Sequence, residues 1–298
     1  MEQMSNVVAG LAAGLTYLAG SVLVFVFGSS YYSLFKTNTS WIFRVLLVAA
    51  SAALTWVLIR SDLNPAAGRL AYAFLAASTA SVLGAAGARL QKPFRMDGDT
   101  VPGMAKSKAL EAFIVVASIL LLAWIVGVPL SALYFRAGSF WLGLGVGVVG
   151  FALFALLAIS QGNQLGVKPE MIRRLWPWIL VFVFANAFME ELWFRAIFFG
   201  PLTSLVGPIA AVALTAVVFA VVHIGATYMS KQERVRFLVI LFVLGLAWGA
   251  CLHFTGSILA STLFHAGADL MIINGFIAAI YGKKDGNAEE SGPTIGLA

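Results

Sequence analysis

Six ionisable side chains sit inside three late apolar stretches of this 298-residue chain, in three short groups. Glu190, Glu191 and Arg195 occur in Phe188-Met189-Glu190-Glu191-Leu192-Trp193-Phe194-Arg195. His223 closes Phe219-Ala220-Val221-Val222-His223, and His265 and Asp269 bound His265-Ala266-Gly267-Ala268-Asp269. In the middle of a membrane span each such group costs about 2.5–3.5 kcal/mol on insertion scales, so each needs a partner or a function. Successive helical residues are about 100° apart, which puts Arg195 about 40° from Glu191 and about 140° from Glu190. Glu191 and Arg195 therefore pair as structural support, in the favourable order of acid four residues before base. Glu190 points to another face with no countercharge on its own helix, and is the candidate base. His265 and Asp269 share one helix face, as do Phe219 and His223. Two imidazoles and a carboxylate from three helices can activate water and stabilise the oxyanion formed on a peptide carbonyl, the chemistry of a glutamate-dependent peptidase. No His-Glu-x-x-His and no Gly-x-Ser-x-Gly occurs, so the familiar zinc and serine hydrolase helices are missing. His253 has no acid four residues away and reads as interfacial, and the single Cys251 reads as core.

The elements that must hold these residues follow from composition. With 61% apolar and 11% charged residues and a mean hydropathy of +0.94, the chain has too little polar surface for a water-soluble fold. It reads as an all-α polytopic membrane bundle of about eight or nine spans, because continuous apolar runs of roughly 20 residues are helices rather than barrel strands. Nine runs stand near 6–28, 41–59, 69–88, 109–134, 139–160, 176–200, 205–227, 236–254 and 256–281. Nineteen Lys and Arg exceed thirteen Asp and Glu. Most of the basic residues lie between the runs, so the charge sets orientation rather than a nucleic-acid partnership. Fourteen Lys and Arg fall in the odd-numbered connections and the tail, against Arg60, Arg69 and Arg136 on the other side. That alternation puts the amino terminus outside and the carboxyl terminus in the cytoplasm. The basic connection 89–108 is the best internal boundary. It divides the amino-terminal helices, 1–108, from a core at 109–282 and a disordered tail at 283–298.

In order, Glu190-Glu191-x-x-x-Arg195, Phe219-x-x-x-His223 and His265-x-x-x-Asp269 resemble the CAAX protease and bacteriocin-processing family, which includes the type 2 CAAX prenyl endopeptidases and the abortive-infection-type membrane proteins. The resemblance covers roughly 175–282. It implies an eight-helix type of core with the active site inside the bilayer, here with one helix more. It also implies that Glu190 and His223 activate water, that His265 and Asp269 face the substrate carbonyl oxygen, and that Glu191, Arg195 and Phe219 support the site. The last motif position is commonly Asn in the prenyl endopeptidases. An ionised Asp cannot donate to an oxyanion, so Asp269 is a neutral acid, an orienter of His265, or a ligand.

Three functional readings follow. The first is a metal-free intramembrane endopeptidase that cuts a membrane-embedded or lipid-linked peptide in the bilayer, in a bacterial plasma membrane. The second is a zinc-dependent intramembrane metalloprotease with Glu190, His223, His265 and Asp269 as ligands, since two His plus carboxylates suit zinc. The third is a non-catalytic immunity or scaffold protein in which the polar cluster only packs. In the nine-span topology His223 falls nearer the cytoplasmic end of its span than Glu190 or His265 do in theirs. A tilted or extended seventh span would bring the three level.

Overall fold

The computed structural model describes residues 2–27, 41–61, 64–90, 100–225 and 231–281. The expected disordered tail and the middle of the basic connection 89–108 lie outside the described residues. Within them every regular element is a helix, as lipid demands of backbone groups that have no water to bond. The helices are α1 (Glu2–Ser21, continued by a π turn, Val22–Phe27), α2 (Trp41–Ser61), α3 (Pro65–Leu90), α4 (Val101–Val126) and α5 (Phe140–Gln164). They are followed by α6 (Pro169–Glu190), α7 (Ile197–Val206), α8 (Pro208–Val222), α9 (Lys231–Thr255) and α10 (Ile258–Tyr281). A π segment, Glu191–Ala196, joins α6 to α7, making one rod of 38 residues, Pro169–Val206.

Among the described residues eight helices are long and apolar enough to cross a membrane, and α8 is the exception. Its 15 residues rise about 22 Å, short of a hydrocarbon core of about 30 Å. The expected span 205–227 is cut at its start by Gly207, at φ 83°, with Pro208 opening the new helix. At its end it tightens into a 3₁₀ turn, His223–Gly225. His223 thus stands where the helix ends, in the turn that follows α8.

Other boundaries differ too: the sixth span runs Pro169–Val206 rather than 176–200, and α4 covers Val101–Val126 rather than 109–134. Thr100 caps it, its hydroxyl accepting from the Gly103 amide at 3.1 Å, with Pro102 in the first turn. Lys106 and Lys108 are therefore helical residues. At the far end Gly127, at φ 79°, terminates the helix.

The outer surface is apolar, with Trp124, Trp141, Ile209 and Phe254 exposed where lipid would lie. Inside, α10 packs along α5, α6 and α9, while α8 lies on α9 and α4 on α6. The amino-terminal helices close over the rod: Phe25 of the first π turn meets Trp193 and Phe194 with ring centroids at 5.6 and 4.8 Å. Tyr17 meets Phe198 at 5.1 Å, and Trp193 Nε1 donates to the Ala77 carbonyl on α3 at 3.4 Å.

A tight backbone approach holds the helix that carries His265 and Asp269. A Cβ on Gly267 would lie 2.6 Å from Phe151 Cα on α5, whereas one on Gly275, further along α10, would meet nothing within 4 Å. Gly267→Ala is expected to lose about 1–3 kcal/mol of stability by overpacking, and Gly275→Ala none. Thermal unfolding of the two variants in detergent checks this, and equal melting temperatures would refute it.

Candidate active site

Glu190 ends α6 and Glu191 begins the π segment, whose following amide, Ile197 N–H, bonds to Leu192 O five residues back. Such a turn widens the helix locally and is frequent at functional sites. Arg195 Nη1 donates to Glu191 Oε1 across this turn, with both side chains fully buried. The guanidinium carbon lies 5.4 Å from the Phe219 ring centre and 5.6 Å from that of Trp248, so two π faces share its charge.

The oxygen that Arg195 holds also accepts from His265 Nδ1 at 2.9 Å. A carboxylate paired to a guanidinium offers only acceptors, so Nδ1 carries the hydrogen. The His265 ring stacks on Trp248 at 3.9 Å and 11° and meets Phe219 edge-on at 5.6 Å. Nε2 is thereby aimed at Glu190 Oε2, 3.6 Å away, and Asp269 Oδ1, 3.7 Å away. Asp269 is fixed in turn by Asn186, whose Nδ2 donates to Oδ2 at 3.0 Å. Relative exposures are 4% for Glu190, 2% for His265 and 6% for Asp269.

His223 stands at the edge of this cluster. Its Nδ1 is 2.7 Å from the Phe219 carbonyl oxygen. A carbonyl only accepts, so Nδ1 is the donor and Nε2 of the neutral ring is left as an acceptor. The His223 ring is 4.7 Å from Phe219, the residue that also meets His265.

Glu190, Glu191, Arg195, Phe219, His265 and Asp269 thus form one connected group, with His223 one ring away. Sequence reasoning missed Asn186, Trp248 and the bond from His265 to Glu191. Asn186 had a signal, being a polar residue one helical turn before Glu190. Trp248 had none, since an aromatic residue in an apolar span is ordinary. His253 is exposed at the end of α9 and stands outside the group. Among the described residues no three His, Cys, Asp or Glu side chains are arranged to hold a metal ion.

The fold and the cluster together define an integral membrane protein with a buried acid–imidazole centre at the meeting of its α6–α7 rod with α8, α9 and α10. Residues 172–271 match the family described as type II CAAX prenyl endopeptidase Rce1-like. That stretch, about a third of the chain, holds all three motifs. Comparison with curated proteins and with solved structures gives no match.

Proposed function

We propose that the protein is an intramembrane endopeptidase that hydrolyses a bond in a membrane-associated peptide with a water activated by Glu190 and His223. The observation that carries this reading is the pair of distances from His265 Nε2, 3.6 Å to Glu190 and 3.7 Å to Asp269. They are too long for hydrogen bonds and bring two carboxyl groups to one imidazole nitrogen, the grouping that general acid–base hydrolysis uses. The water's proton passes to Glu190, while the acceptor nitrogen of His223 helps to orient that water. With Nδ1–H committed to Glu191, His265 acts through Nε2, which when protonated donates to the carbonyl oxygen as the tetrahedral intermediate forms. Asp269, tied to Asn186, keeps that nitrogen in place. Glu190 then returns the proton to the leaving amine. The scheme needs no metal.

The apolar exterior and the eight membrane-long helices among the described residues support a lipid bilayer as the setting; an even number of crossings supports both termini on one side, unlike the nine-span reading. The type II CAAX endopeptidase match supports a substrate held in or linked to lipid.

The test uses the full chain in liposomes with a pool of synthetic peptides, each an apolar membrane-inserting segment followed by a short polar stretch, with products read by mass spectrometry. Cleavage of at least one peptide is expected, slowed about 10²-fold or more in His223→Ala. If no peptide is cut, or if wild type and His223→Ala cut alike, the assignment is wrong.

A further inference from the structure

Among the charged side chains outside the three motifs, two stand together on α4. Lys108 and Glu111 lie one turn apart in α4, with Nζ donating to Oε2 at 2.8 Å. Their side chains are only 20% and 9% exposed. An ion pair at the protein surface would need no explanation, but one inside a membrane bundle does, because apolar residues would fill the same space at no desolvation cost.

The position of the pair supplies the explanation. Helix α4 packs along α6 and touches the π segment, the two elements that carry Asn186, Glu190 and Glu191. A charge on the helix that lies against both elements reaches their carboxylates through an apolar interior, where screening by water is weak. The centre holds three carboxylates, and Arg195 is already committed to Glu191. His265 is then the only cation the motifs supply to Glu190 and Asp269, and negative charge grows further on the substrate oxygen as water adds.

We infer that Lys108, held in place by Glu111, is a positioning residue of the hydrolytic centre that supplies a fixed positive charge to it from outside the three motifs and outside residues 172–271. This rests on the hydrolytic reading above. A charge felt most strongly when the oxyanion forms changes kcat with little change in KM.

The experiment compares Lys108→Met, Lys108→Arg and the double variant Lys108→Met/Glu111→Leu in liposomes, using the peptide cleaved fastest from the pool. Thermal unfolding is measured on the same preparations. Lys108→Met is expected to lower kcat about 10-fold with KM within about 2-fold, and Lys108→Arg to restore most of the loss. The double variant decides between a structural role and a positioning one. It removes the buried unpaired carboxylate, so its melting temperature returns to that of the wild type while its kcat stays low. Wild-type kcat in the double variant would overturn the inference, and this holds even where Lys108→Met alone does not fold. Glu190→Gln on the same peptide keeps the two readings apart. If that variant turns over like the wild type, the hydrolytic reading has failed. If it is inactive while the double variant is fully active, only the role of Lys108 has failed.

Discussion

Glu190→Gln is expected to lower kcat by about 10²–10⁴-fold, the usual contribution of a positioned general base, and to leave the melting temperature within a degree or two. Glutamine keeps the shape and one acceptor oxygen of the glutamate but cannot take a proton. Among the described residues Glu190 has no ion-pair partner closer than the 3.6 Å approach of His265 Nε2, so the fold loses little when its charge goes. A scaffold or immunity protein that keeps the cluster for packing would respond differently, its stability and its biological effect falling together. Kinetics in liposomes and unfolding in detergent on one preparation separate the two. A Glu190→Gln variant as active as the wild type would remove Glu190 from the chemistry altogether.

How far such a site can be read from the chain depends on which signals are local. An acid or imidazole in an apolar run is conspicuous by type alone, and the 100° arithmetic that paired Glu191 with Arg195 needs only one helix. The pair forms even though a π turn intervenes, because widening the helix by one residue still leaves positions four apart on neighbouring faces. The Nδ1 bond from His265 to Glu191 spans 74 residues of sequence and depends on how α10 lies against the rod, which no periodicity encodes. The same holds for the stacking of Trp248 on His265, and for Tyr17 closing over α7 and Phe25 over the π segment. Two of the boundary errors had local causes that counting apolar residues ignores. Gly207-Pro208 breaks one run into two helices, and Thr100-Val101-Pro102 is a helix start hidden in what looked like a proline-containing connection.

Arg195→Met is expected to cost roughly 3–5 kcal/mol of stability, the range for removing one partner of a buried ion pair. Methionine fills most of the space between Phe219 and Trp248, so little of the loss comes from packing. Most of it comes from leaving Glu191, at 1% exposure, as an uncompensated carboxylate in an apolar interior. Lysine is a poor rescue, because a compact ammonium can neither spread across two ring faces nor match the planar geometry of the guanidinium. Adding Glu191→Leu to Arg195→Met removes the stranded charge, and the double variant should recover most of the lost stability. Activity should not recover, because Glu191 is also the acceptor that holds His265 Nδ1–H at 2.9 Å. With that oxygen gone the ring is free to change tautomer, and the aim of Nε2 between Glu190 and Asp269 is lost. A double variant that regains both stability and turnover would show that Arg195 and Glu191 only fill the core. Recovery of stability alone assigns them the orientation of His265.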